Sequence, residues 1–226
     1  MNFTLVTVAA GDSIRWQDEN NSEKKEFALL SNGKTVLENA VMSVYSPIAQ
    51  HINTIIIVYK HGLLQSTKDA LNYDNLSKEL QDKFVFIKGG KTRAESTKNA
   101  INYIKENISS THIITHDGAR PYPPEKMIKN LFTLSQKHKA VIPVIPLVDT
   151  VKQIKDNHVV STLERGLYSF VQTPQFFDSD VLIDAYNTCY NENDYDDSQT
   201  VSRYSEDVYT SEGDVANIKI TYKGDI

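Results

Sequence analysis

An α/β fold, doubly wound around a mostly parallel sheet, follows from two features of the sequence. Short β-branched runs alternate with longer amphipathic stretches, and the strands read as continuous apolar runs, as strands covered on both faces do. At 226 residues the chain fits one large domain, spanning 1–226, better than two small ones. The first strand falls at residues 5–8, in an N-terminus that has no basic segment and whose apolar stretch is broken by threonines, so it reads as a strand and not a signal peptide. Further strands are predicted at 54–59, 84–87, 112–115 and 140–145, with apolar residues at helical spacing over 35–44, 63–71, 95–108 and 124–138.

One segment breaks the rhythm. Thr150-Val151-Lys152-Gln153-Ile154 and His158-Val159-Val160-Ser161-Thr162 flank Lys155-Asp156-Asn157, which reads as a hairpin turn. A polar hairpin in an α/β domain has little core of its own, so this arm, at about 150–165, is expected to pack against something else, with a second subunit as the natural candidate. The acidic stretch 191–197 reads as a solvated loop, with Asp196, Asp197 or Ser198 capping a following helix.

A formal net charge of −5 argues against counterion-driven nucleic-acid binding, and a small anionic substrate is the better expectation. No apolar run approaches the roughly 20 residues that span a bilayer, so neither nucleic acid nor membrane is expected as a partner. The single cysteine, Cys189, excludes an intrachain disulfide and a cysteine metal cluster. It suits a reducing, cytoplasmic setting.

Three turns carry the chemistry. The first strand runs into Ala9-Ala10-Gly11-Asp12-Ser13-Ile14-Arg15, at the sheet edge where open α/β folds bind ligands. Lys24 and Lys25 follow after the charged stretch Gln17-Asp18-Glu19-Asn20-Asn21, making a cationic loop beside a candidate phosphate cradle. A second glycine turn, Gly89-Gly90-Lys91-Thr92-Arg93-Ala94-Glu95-Ser96, puts Arg93 where it can grip phosphate oxygens bidentately and Ser96 where it can hydrogen-bond a nucleotide. The third, His116-Asp117-Gly118-Ala119-Arg120-Pro121, offers a carboxylate suited to a magnesium ion shared with substrate phosphates, or an Asp-Gly turn paired with Arg120. A nicotinamide-dependent oxidoreductase is not supported. Gly11-Asp12-Ser13-Ile14 lacks the Gly-x-Gly-x-x-Gly turn, and Tyr59-Lys60-His61 lacks the acidic residue after the second strand.

Taken together and in order, Ala9-Ala10-Gly11, Lys25, Gly89-Gly90, Arg93, Ser96, His116-Asp117-Gly118-Ala119-Arg120-Pro121, Asp149-Thr150, Thr173-Pro174-Gln175 and Asn217-Ile218-Lys219 resemble the 2-C-methyl-D-erythritol 4-phosphate cytidylyltransferase family over nearly the whole chain. The resemblance implies a Rossmann-like sheet with a protruding β-arm through which two subunits clasp each other. It implies CTP cradled by Ala9, Ala10, Gly11, Gly90, Arg93 and Ser96, with Arg15, Lys25 and Lys219 as the catalytic cations. Asp117 would be the magnesium ligand, with Asp214 a second candidate, while Thr150, Lys152, Arg165 and Arg120 would hold the acceptor, a small sugar or polyol phosphate. Relatives that make CDP-ribitol share much of the pattern, but Lys152 and the run Asp117-Gly118-Ala119-Arg120 look closer to the methylerythritol enzymes.

Departures from the family pattern carry expectations too. Ser13 stands where the family usually has a second glycine and Asp12 adds a negative charge beside it, so a reshaped first loop is expected. Lys24-Lys25 stands where the family prefers Pro-Lys, which leaves Lys24 as the alternative to Lys25. Ala216 replaces a frequent aspartate, and Asp214, two residues earlier, would return to the same strand face. Relatives usually continue past Ile226 into another helix, which raises the expectation of a shortened chain or one module of a fused, two-enzyme protein.

Overall fold

The computed structural model describes residues 1–16, 24–205 and 207–226. In chain order the elements are β1 (Phe3–Ala9), α1 (Val36–Tyr45), β2 (Ile52–Tyr59), α2 (Leu64–Ala70), α3 (Lys78–Gln81), β3 (Phe84–Lys88), α4 (Arg93–Asn107), β4 (His112–Asp117) and α5 (Glu125–Ser135). They continue with β5 (Ala140–Pro146), β6 (Lys152–Lys155), β7 (His158–Thr162), β8 (Ser169–Val171), β9 (Gln175–Asp178), α6 (Ser179–Thr188), α7 (Asp197–Tyr204) and β10 (Tyr209–Glu212).

The main sheet has the order β10-β5-β9-β4-β1-β2-β3, with β8 added alongside β5. Strands β3, β2, β1 and β4 are mutually parallel neighbours, and β10 is parallel to β5. Strand β9 runs antiparallel between β4 and β5. The chain therefore keeps the parallel core that alternating βαβ units dictate and adds two reversed strands, β9 within the sheet and β8 alongside β5. Successive residues of β2 point to opposite faces: Ile55 and Ile57 join a core with Leu37, Val41 and Leu131, while Ile56 and Val58 join one with Ala100, Ile104 and Leu182. That alternation between two helical layers is the doubly wound arrangement.

All five predicted strands are present, each slightly longer than expected. Helix α4 starts at Arg93, two residues earlier than its apolar periodicity suggested, because Thr92 caps it by accepting from Glu95 N. Strands β6 and β7 form the hairpin as a separate two-stranded sheet, exposed along its length, and its turn places Asp156 and Asn157 at φ 48° and 63°.

The acidic stretch is only partly the solvated loop expected. Asp196 does cap α7, accepting from Gln199 N, but Asp194 and Asp197 are buried. Asp194 binds Thr200 and Arg203 of the helix that follows it, and Asp197 binds Tyr186 and the distant Arg93, so both carboxylates are paired inside the fold. Among the described residues, no helix is long and apolar enough to cross a membrane.

Candidate active site

Strand order reverses direction of growth beside β1, with β2 added on one side and β4 on the other, and the crevice at the carboxyl ends of these strands is where such sheets take ligands. A cavity of about 510 Å³ opens there, with Ala10, Gly11, Arg15, Lys25, Gly90, Arg93, Ser96, Asp117 and Lys219 on its walls. Two loops meet at its floor. A Cβ at Gly89 would lie 2.3 Å from the Ala10 Cβ, so glycine is required for the second turn to close against the first. Ser96 is buried, accepting from Gly90 N at 3.1 Å and donating to Thr92 O at 2.8 Å, and so shapes the turn, whose Gly89 and Lys91 amides are likewise held by Tyr59 O and Glu95 Oε2.

The two lysines after the first loop separate cleanly. Lys25 stands on the cavity wall at the start of a single 3-10 turn, Lys25–Phe27, its Nζ donating to Ile220 O at 2.8 Å. Lys24 is buried beneath the loop and does not reach the cavity. Arg15 is exposed on the wall, 5.9 Å over the Tyr222 ring. The stretch Gln17-Asp18-Glu19-Asn20-Asn21 lies outside the described residues. Ser13 adopts φ 55°, the left-handed region that favours glycine. Asp12 does not act as an isolated charge at the cavity mouth, since Lys60 pairs with it at 2.8 Å. Ala9, expected at the nucleotide, is 3% exposed and lies under the cavity floor, its Cβ 3.1 Å from where a Cβ on Gly118 would sit.

At the end of β4, Asp117 gathers three cations: Lys219 Nζ at 2.8 Å, Arg93 Nε at 3.0 Å and Arg120 Nε at 3.8 Å. Burial pushes its carboxyl up, but the charges of Lys219, Arg93 and Arg120 outweigh that and hold it well below the usual carboxylate range. Arg93 differs from the expectation of a bidentate phosphate grip. Its fork is taken by Asp197, with Nη1 and Nη2 each 3.0 Å from a different carboxylate oxygen, while Nε holds Asp117. Opposite charge at ideal fork geometry wins the guanidinium before any ligand arrives.

Thr150, Lys152 and Arg165 are not brought to this cavity within one chain. All three are exposed in the arm, where Lys152 donates to Thr162 Oγ1 at 2.7 Å and Arg165 donates to Val148 O at 2.6 Å. Asp214 does not fit the role of second metal ligand. Its Oδ1 accepts from Ala216 N at 2.8 Å, and it faces a separate apolar cavity lined by Val144, Leu147 and Phe170. Arg120 instead lines a neighbouring cavity of about 300 Å³, together with Gln172, Thr173, Gln175 and Lys219, and donates to Asn217 O at 2.8 Å.

His116, Thr173 and Asn217, which stand in the sequence motifs without an assigned role, complete the site from behind. Thr173 Oγ1 accepts from Asp117 N at 3.0 Å and lies 3.2 Å from His116 Nδ1, whose Nε2 is 3.0 Å from Arg120 O. Asn217 is fully buried and donates to Thr173 O at 2.9 Å. Polar residues at strand ends were the available signal, but their partners lie far away in sequence.

Burial lowers the pKa of His116 to about 4, so the folded protein keeps the ring neutral while the unfolded chain protonates near 6.5. Stability from this group is fully present above pH 6.5 and is lost as pH falls toward 4. Chemical denaturation of the ligand-free protein is expected to lose about 2 kcal/mol between pH 7 and pH 5, with His116→Gln flattening that slope. An unchanged slope would show that the ring is protonated in the fold.

Glycine turns at the strand ends, an ionised aspartate and converging lysines in one crevice of a doubly wound sheet define a nucleotidyltransferase. The model of the family IspD, 2-C-methyl-D-erythritol 4-phosphate cytidylyltransferase, matches residues 3–226. The chain belongs to this family. It is 36% identical over 228 residues to the 2-C-methyl-D-erythritol 4-phosphate cytidylyltransferase of Bacillus anthracis, covering 99% of this chain and 94% of that protein. Among solved structures, 4-diphosphocytidyl-2C-methyl-D-erythritolsynthase from Anaerococcus prevotii DSM 20548 superposes with a TM-score of 0.79 at 27% identity, covering 99% of this chain and 92% of that one. The bifunctional IspDF from Campylobacter jejuni superposes with a TM-score of 0.79 at 25% identity, covering all of this chain but 53% of that one, so this chain spans about half its length.

Proposed function

We propose that the chain transfers the cytidylyl group of CTP to 2-C-methyl-D-erythritol 4-phosphate, giving the CDP-linked product and pyrophosphate for isoprenoid precursor synthesis. The observation that carries this reading is the convergence of Arg15, Lys25 and Lys219 on one cavity between the two glycine turns, beside Asp117. The acceptor's phosphate oxygen attacks the α-phosphorus of CTP in line, a new P–O bond forms, and the bond to the β-phosphate oxygen breaks, with its electron pair leaving on pyrophosphate. The attacking phosphate is already ionised near neutral pH, so no general base is needed. Negative charge grows on phosphorus oxygens and on the leaving group, and Lys25, Arg15 and Lys219 meet it with fixed positive charge.

A hard divalent cation such as magnesium fits this site. It takes one or two protein carboxylates and fills its remaining positions with phosphate and water, and Asp117 is the ionised carboxylate at the cavity's deepest strand end. Among the described residues no group of three or more His, Cys, Asp or Glu is placed to hold a metal, here or elsewhere, so Asp117 would hold the ion together with substrate phosphate and water. Such an ion would supply charge neutralisation to the phosphates when bound, and Lys219, which lines the same cavity with its Nζ 2.8 Å from Asp117, is within reach of the same phosphates.

The arm belongs to the same proposal. Arg165 and Thr150 stand on the arm, away from the cavity of their own chain, while Val148, Val159, Leu167 and Phe170 leave apolar surface exposed on and beside it. A homodimer clasped through the arms would cover that surface and deliver Arg165 and Thr150 to the partner's acceptor site. Arg165→Ala is then expected to raise the acceptor KM about ten- to a hundredfold, the value of a charge-assisted hydrogen bond, with the KM for CTP unchanged. An unchanged acceptor KM would remove the arm from the site. The reaction itself is tested with CTP labelled at the α-phosphate, because the label must appear in the CDP-linked product and not in pyrophosphate. We place this chemistry in the cytoplasm, where both phosphorylated substrates are water-soluble.

A further inference from the structure

The floor of the nucleotide loop holds a buried ion pair that the transfer chemistry does not use. Lys24 and Glu26 are 4% and 3% exposed, with Nζ and Oε2 3.6 Å apart. Removing two charges from water is costly, and a pair at that separation recovers the cost poorly by mutual attraction alone. Among the described residues, their other side-chain hydrogen bonds go to the first loop. Lys24 Nζ donates to Ala9 O at 2.8 Å and to Gly11 O at 2.5 Å, and Glu26 Oε2 accepts from Ser13 Oγ at 3.0 Å.

We propose that Lys24 and Glu26 are positioning residues that hold this loop in its nucleotide-receiving shape, an inference that rests on reading the cavity as the CTP site. Two consequences follow from peptide geometry. The C=O and N–H of a trans peptide point in opposite directions, so drawing the Ala9 and Gly11 carbonyls down onto Lys24 turns the Ala10 and Asp12 N–H groups away from it. Directly after Asp12, Ser13 occupies the left-handed region at φ 55°, which disfavours any residue with a Cβ. The hydroxyl bond to Glu26 compensates at the one position where a glycine would need no help. Lys24, Glu26 and Ser13 thus act as a single brace under the loop, and Lys24 and Lys25, adjacent in sequence, divide the work between shaping the loop and facing the ligand.

The test uses the full chain and reads CTP binding by calorimetry together with separate KM values for CTP and acceptor. Ser13→Ala keeps the Cβ but loses the hydroxyl bond to the Glu26 carboxylate, and should raise the KM for CTP about tenfold, the lower end of the value of a hydrogen bond to a charged group. Ser13→Gly loses the same bond but removes the strain, so it should raise that KM less than Ser13→Ala does. Lys24→Met keeps the apolar stem and deletes both carbonyl contacts, and should raise the KM for CTP by about ten- to a hundredfold with the acceptor KM unchanged. Leu131→Ala, a core truncation remote from the loop, serves as the control that lowers the melting temperature without moving the KM for CTP. If Lys24→Met does not fold, the alanine-to-glycine order at position 13 decides alone. Equal losses in the two Ser13 variants, or an unaltered KM for CTP in folded Lys24→Met, would overturn the brace. A native protein that fails to bind CTP at all would instead overturn the nucleotide reading of the cavity, and the brace with it.

Discussion

Lys25→Ala is expected to lower turnover about a hundred- to a thousandfold, the usual loss when one fixed group facing transition-state charge is removed, or about 3 to 4 kcal/mol. Of Lys24 and Lys25, Lys25 is the one that lines the cavity, and among the described residues its Nζ is hydrogen-bonded to Ile220 O. Burial is the largest influence on its pKa and lowers it, with Glu26 pulling the other way, so arriving phosphates find a cation that water solvates poorly. Removing the side chain leaves the surrounding packing in place, and the circular dichroism spectrum and melting temperature should stay near native. Arg15→Ala should act in the same direction, because Arg15 lines the same wall. Near-native turnover in both variants would sink the cationic mechanism.

Arg93→Met should be the most destabilising of the site substitutions, at about 3 to 5 kcal/mol, because it strands a buried charge. Asp197 is completely buried, and Arg93 gives it two hydrogen bonds of 3.0 Å, with Tyr186 Oη adding a third at 2.6 Å. The same guanidinium holds Asp117 at 3.0 Å, so the variant should also loosen the carboxylate that faces the cavity. In a chain of this length the melting temperature should drop on the order of 10 °C. A drop of only a degree or two would mean that Asp197 finds water or another partner in place of Arg93.

The parallel half of the sheet was legible because β-branched runs such as Ile55, Ile56, Ile57 and Val58 have one good solution, burial on both faces. Strands β8, β9 and β10 were not. Gln175 opens β9 with a polar side chain that is fully buried, its Nε2 on Asp196, and no periodicity within four residues reveals a reversed strand between two parallel ones. Site residues at the ends of predicted strands were found at sight, because glycine turns and Asp117 follow the strands directly. Their partners were not: Arg93 and Asp197 are separated by 104 positions, and an aspartate in an acidic run reads as solvated until the fold closes on it. The same limit explains Asp214, whose two-residue offset from Ala216 suggested a shared strand face where the chain in fact makes a turn, with Asn217 N bonded to Asp214 O at 3.0 Å. Lys24 is the opposite lesson, since the departure from the family pattern at Ser13 is met by Glu26, which is itself paired with the second departure, Lys24, and neither is interpretable alone.

The central claim is cytidylyl transfer, and pyrophosphate release by the purified protein with magnesium tests it most directly. CTP would be offered with 2-C-methyl-D-erythritol 4-phosphate and, separately, with ribitol 5-phosphate. Release that requires both CTP and the methylerythritol acceptor, and is much slower with ribitol 5-phosphate, is the predicted result. No release with either acceptor from a folded protein that binds CTP would contradict it.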